Sequence, residues 1–116
     1  MVIFVTIGVI AIFIYLNEKQ TIIIEKITEP STIVLRKLHS QNGIHALKII
    51  GRGQLDGEAE ISLILSGKPY KTEKLSRQIN FEWSGDWYDD SATLEYKPSS
   101  AKKGSLKLEY EFEDFW

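Results

Sequence analysis

Apolar and polar residues take turns along most of the second half of this chain. Ala59, Ile61, Leu63 and Leu65 fall on one side of an extended backbone, and Glu58, Glu60, Ser62 and Ile64 on the other. Ile79, Phe81 and Trp83 alternate with Gln78, Asn80 and Glu82, and Ala92, Leu94 and Tyr96 with Thr93, Glu95 and Lys97. Leu106, Leu108, Tyr110 and Phe112 alternate with Lys107, Glu109, Glu111 and Glu113. Successive side chains of a strand point to opposite faces, so a period of two predicts strands with one face on a core and one in water.

The first part of the domain is less regular. Residues 21–27 and 32–38 read as strands parted at Pro30, which cannot donate to a ladder. Ile44 to Leu55 reads as a strand in which Gly51 and Gly53 mark a bulge or a bend. Asp56-Gly57 is expected to turn that strand into a hairpin with 58–65. Residues 68–75, with Pro69 and three lysines, have the polar character of an edge strand. Further turn signals stand at Asn42-Gly43, Ser66-Gly67, Ser84-Gly85-Asp86, Pro98-Ser99-Ser100 and Lys103-Gly104. About seven to eight strands at such short spacing predict an all-β fold, an antiparallel β-sandwich, with a small closed β-barrel as the alternative.

A different pattern precedes the domain. Met1 to Leu16 carries no charge, and only Thr6 and Gly8 interrupt its apolar side chains. As a helix it spans roughly 24 Å against a hydrocarbon core of about 30 Å. Asn17 to Gln20 must then carry the helix through the interface, with Tyr15 as an interfacial anchor. The expected organisation is an apolar membrane anchor over 1–19 and a single β domain over 20–116. A cleaved signal fits less well, because no Lys or Arg precedes Lys19 and Ile14-Tyr15-Leu16 is bulky where a small-residue cleavage site belongs. A buried strand pair bent at Gly8 is the third reading. Glu18, Lys19, Glu25 and Lys26 flank the run without positive bias, so orientation follows only from the habit of short N-terminal anchors to act as uncleaved export signals. On that basis the domain is expected outside the cytoplasm.

Composition narrows the partners. The 14 basic and 16 acidic residues leave no excess to hold a polyphosphate, which argues against nucleic acid. The absence of cysteine excludes disulfides and thiolate metal sites.

The densest cluster of unusual residues is Trp83-Ser84-Gly85-Asp86-Trp87-Tyr88-Asp89-Asp90-Ser91, read as a loop after a strand. Exposed Trp87 and Tyr88 would offer flat apolar faces to a sugar or a peptide. Asp86, Asp89 and Asp90 would supply oxygens to a Ca²⁺ ion, although their spacing matches no calcium loop. The plainer alternatives are that Trp83 is core, that Trp87 and Tyr88 cap the end of the sandwich, and that the aspartates are turn formers. His39 and His45 flank Gln41-Asn42-Gly43 but are too few for a zinc site. Lys68, Lys71, Lys74 and Arg77 read as a solvated edge. Asp114 interrupts the last alternation, so Phe115 and Trp116 are expected to fold back onto the domain or dock on a partner.

The function expected is that of a membrane-tethered binding or interaction module outside the cytoplasm, with no catalytic residues, metal or cofactor. The membrane is met through 1–19, and the further partner is a protein or a glycan. A barrel binding a small molecule or carbohydrate, and a structural subunit of a membrane complex, are the alternatives.

Overall fold

The structure, a computed structural model, describes residues 19–114. The expected N-terminal helix lies outside the described residues as far as Glu18, as do Phe115 and Trp116; its expected continuation to Gln20 is corrected, because Lys19 and Gln20 open a strand paired with the last strand of the sheet. Six strands follow one another: β1 (Lys19–Ile24), β2 (Ser31–Arg36), β3 (Ile44–Leu65), β4 (Lys68–Asp86), β5 (Ser91–Pro98) and β6 (Lys103–Asp114). All pair antiparallel in one sheet. Along one path the order is β1-β6-β3-β5-β2, and β4 lies on the other edge of β3. Among the described residues no helix is long and apolar enough to cross a membrane.

The two long strands govern the architecture. β3 runs for 22 residues, about 73 Å if straight. β4 follows it along nearly its whole length, from Ala46 opposite Asp86 to Leu65 opposite Lys68. The other edge of β3 is shared: β6 covers Ile44 to Asp56, and β5 covers Ala59 to Ile64. β1 then pairs with β6, and β2 with β5. The sheet thus has two halves joined through the β3–β4 ribbon, and these halves face each other. Leu47 and Leu63, sixteen positions apart on β3, line the same cleft, which a straight strand would hold about 53 Å apart.

The fold-back is built at Asp56-Gly57. Leu55 opposes Arg77 and Glu58 opposes Ser76, so Asp56 and Gly57 have no partner on β4. Gly57 sits at φ +100° and Arg77 at φ +56°, backbone conformations that favour a local kink. The expected hairpin at Asp56-Gly57 is therefore corrected: those residues form a bulge within one continuous strand. The same continuity merges 68–75 with 78–83 into β4, which lowers the expected strand count to six among the described residues. The segment Trp83 to Asp86 also belongs to β4, so the expected loop is confined to 87–90. The result is a curled half-barrel of sandwich type rather than the closed barrel.

The space between the halves is filled from both sides. Leu47, Ile49, Leu55, Ile79, Phe81, Trp83, Leu106, Leu108 and Phe112 are buried from one half. Leu35, Ile61, Leu63, Leu75, Leu94 and Tyr96 are buried from the other. Gly51 lies opposite Phe81, and a Cβ there would run into the Phe81 ring, so the missing side chain makes room for an aromatic on the neighbouring strand. Trp83 packs beside that ring with centroids 4.9 Å apart. The outward face of the first half carries ion pairs at long range, Lys48–Glu82 and Arg52–Glu109 at 3.9 Å and Lys107–Glu109 at 3.7 Å. Such exposed pairs contribute about 0–1 kcal/mol each.

Three polar contacts close the core. Tyr96 Oη donates to the Ile27 carbonyl at 2.7 Å, tying β5 to the β1–β2 connection. Gln20 Nε2 donates to the Arg36 carbonyl at 2.8 Å, linking one half to the other, while Tyr110 Oη donates to Gln20 Oε1 at 3.1 Å. Burial raises the phenol pKa of both Tyr96 and Tyr110 above the ordinary value of 10.0. The folded state thus holds both rings neutral after the unfolded chain begins to ionise, so their contribution is complete below about pH 10 and is lost as pH climbs through the raised values. Tyr96→Phe leaves the Ile27 carbonyl buried without its donor, and a loss of about 1–3 kcal/mol in urea unfolding is expected at neutral pH. The same titration should show stability falling above about pH 10, less steeply for Tyr96→Phe than for the parent chain.

Candidate functional site

At the end of the sandwich away from the Asp56-Gly57 bulge, the β3–β4 ribbon leaves a shallow cleft with a volume of about 20 Å³. Its floor is core: Leu47 and Ile49 from one arm of β3, Leu63 from the other, and Trp83 and Trp87. Its rim is mixed. Tyr70 and Lys71 come from the start of β4, and Ser84, Gly85 and Asp86 from its end. The two ends of one strand, thirteen or more positions apart, thus border the same space because the ribbon folds back.

Local irregularity presents the rim. The β3–β4 register shifts between Leu63 and Ile64: Leu63 opposes Lys71 and Ile64 opposes Pro69. Tyr70 has no partner across the ladder there and is 54% exposed. The Lys71 ammonium lies 5.8 Å from the Tyr70 ring centroid, within reach of a weak cation–π attraction. Tyr70 therefore stands with an apolar floor beside it, a cation at one side and the exposed carboxylate of Asp86 across the cleft.

The five residues singled out in the sequence have separate positions. Trp87 is 7% exposed and closes the cleft floor. Its backbone N–H donates to the His45 carbonyl at 3.1 Å, and its Nε1 donates to the Ser91 carbonyl at 2.9 Å. Both donors of the residue are thus spent inside the protein, which makes Trp87 an end cap with one wall on the cleft. Tyr88, one position further, is 74% exposed. Asp86 ends β4 opposite Ala46. Asp89 turns its carboxylate back to accept the Asp90 backbone N–H at 2.7 Å, and the Asp90 carbonyl accepts the Lys37 N–H at 3.0 Å. The loop 87–90 is thereby tied to the end of β2. No group of three or more acidic, histidine or cysteine side chains able to hold a metal occurs among the described residues.

Two contributions escaped the sequence reading. Tyr70 and Lys71 look like parts of a solvated edge strand until the register shift and the fold-back bring them over the core. The available signal was the lone large aromatic in an otherwise polar strand. Gln41, in a turn where polar residues are ordinary, is buried, and its Nε2 donates to the Phe112 carbonyl while its Oε1 accepts the Leu38 N–H at 3.0 Å. It fastens the β2–β3 connection to β6.

No protein-family model matches the chain, and no curated protein matches its sequence. Solved structures do resemble its fold. PirA is 11% identical over 83% of this chain and 94% of its own, with a TM-score of 0.51. The Yersinia pseudotuberculosis-derived mitogen is 15% identical over 84% of this chain and 86% of its own, with a TM-score of 0.50. The carbohydrate-binding module CBM36, solved with calcium and xylotriose, is 10% identical over 82% of this chain and 87% of its own, at a TM-score of 0.41. At these identities the first two share a β-sandwich-type fold with this chain and nothing more specific, and the third superposes too loosely to add to that.

Trp87→Phe retains the apolar wall and removes the indole donor. Unfolding should become easier by about 1–2 kcal/mol as the Ser91 carbonyl loses its partner. A variant as stable as the parent in the same urea titration would show that the indole bond does not hold the loop.

Proposed function

We propose that the chain is a non-catalytic binding module, held at a membrane by residues 1–19, that grips its partner through the cleft between the two ends of β4. The observation that carries this reading is the exposed Tyr70 ring standing beside an apolar floor of Leu63, Trp83 and Trp87, with Lys71 and Asp86 as polar neighbours. Recognition sites for small groups are mostly apolar with a few placed polar atoms. With room for only about 20 Å³, about one water, the cleft is far smaller than a ligand pocket, so a partner's ring or side chain lies against its rim and floor rather than inside it. A tyrosine beside it stacks on a flat apolar face at little entropic cost. Tyr88, on the neighbouring loop, extends the surface to a partner larger than the cleft.

Two of the tryptophans line the cleft, so a partner covering it should change their emission. Titration of the full chain with a panel of saccharides and short peptides is expected to give a saturable change for at least one class. Tyr70→Ala should weaken it about tenfold or more, as loss of an aromatic anchor does. Asp86→Asn should weaken a ligand held by hydrogen bonds and leave an apolar one unaffected. The site is wrong if no probe saturates, or if both variants bind like the parent while keeping its urea midpoint.

The tether rests on the uncharged run Met1 to Leu16, and the placement outside the cytoplasm on the habit of short anchors to act as retained export signals. The chain is then expected to sediment with membranes, and its domain to be cut by protease added outside intact cells. Recovery of the chain in the soluble cytosolic fraction would contradict both.

A further inference from the structure

We propose that β1 pairs antiparallel with β1 of a second copy of this chain, about a two-fold axis through Ile22. β6 takes one edge of β1, and no described strand takes the other. A groove runs beside that free edge, bordered by Ile22, Ile23 and Ile24 and, across it, by Ile33. Neighbouring side chains of a strand point to opposite faces, so a groove bordered by three consecutive residues follows the backbone edge itself. Ile23 is 57% exposed there.

The free borders of the sheet, β4 on one side and β1 and β2 on the other, differ in how they are guarded, and β2 carries the single charge Arg36, so of the two unguarded strands only β1 offers opposite charges to a copy of itself. β4 carries Lys68, Pro69, Lys71 and Lys74 along its length and a kink at Arg77, devices that discourage pairing with another chain. β1 has no proline, no bulge and one lysine at its start. Its edge is open for strand addition.

The sequence around the edge identifies the partner. It reads Lys19-Gln20-Thr21-Ile22-Ile23-Ile24-Glu25. Antiparallel pairing centred on Ile22 places Lys19, the first residue of β1, opposite Glu25, the residue just past its end, twice by symmetry. Thr21 then meets Ile23, and Ile22 meets itself. Opposite charges directly across a strand pair are favourable and like charges unfavourable. A parallel in-register pairing would set Lys19 against Lys19 and Glu25 against Glu25. Sliding the antiparallel register by one residue sets Lys19 against Ile24 or Lys26, and turns one copy's core face outward. Charge order therefore selects one geometry, and a second copy of the same segment provides it.

The chain contains no cysteine, so single introduced thiols report the register without background. In the full chain, solubilised in detergent, Thr21→Cys and Ile23→Cys should each remain monomeric on oxidising gels when alone and give a covalent dimer when mixed. Ile22→Cys should crosslink by itself. Lys19→Glu is expected to raise the dissociation constant of the dimer about tenfold, and the double variant Lys19→Glu, Glu25→Lys to restore it to within about twofold. A monomeric parent chain overturns the proposal. So does a dimer in which the Thr21→Cys and Ile23→Cys mixture fails to crosslink, or one that is weakened by Lys19→Glu and not rescued by the double variant.

Discussion

Everything in this domain depends on the break in the β3–β4 ribbon at Asp56-Gly57. A ribbon of this length cannot stay straight and bury its apolar face, because no second layer exists to cover it. Two residues without partners on β4 supply the bend, and the neighbouring strands are interrupted at the same level: 25–30 between β1 and β2, and 99–102 between β5 and β6. The bend is also pinned from the side. The Glu58 carbonyl accepts the N–H groups of Ser99 and Ser100 at 3.0 Å, and the Asp56 carbonyl accepts that of Lys102 at 2.8 Å. These contacts satisfy backbone groups that the bulge removes from the ladder, which is what makes a kink in mid-strand tolerable.

The cleft and the open edge are two consequences of that single event. Folding the ribbon brings the start of β4 over its own end, which puts Tyr70 and Lys71 beside Trp83 and Asp86. It also divides the outermost strand into β1 and β2, leaving a groove between them instead of a closed seam. A fully closed barrel would have neither feature, since closure removes edges and fills the mouth. The proposed recognition surface and the proposed self-pairing strand therefore lie on different elements and can act at once.

The sequence reveals the strands more readily than their connections. Leu106, Leu108, Tyr110 and Phe112 show their alternation because each is buried on one face, and all four are core in the structure. Trp83 falls in phase with Ile79 and Phe81 for the same reason. Asp56-Gly57 misleads because a positive φ at glycine serves a hairpin turn and a bulge alike, and only the long-range pairing with β4, β5 and β6 distinguishes them. The candidate site divides similarly. Asp86 and Trp87 stand out locally as part of an aromatic and acidic cluster, and both border the cleft. Tyr70 does not, because its importance arises from contact with residues more than a dozen positions away.

The most direct test of this account is the distance between the two ends of β4. Spin labels on Tyr70→Cys and Ser84→Cys, both exposed positions in a chain with no other thiol, measure it by pulsed electron resonance. A ribbon folded at Asp56-Gly57 places both labels on one small cleft and predicts a separation of about 20 Å or less, allowing for two sheets about 10 Å apart and the label arms. A distance near 46 Å, the span of fourteen residues of unbroken strand, would mean that the ribbon runs straight and that the cleft does not exist.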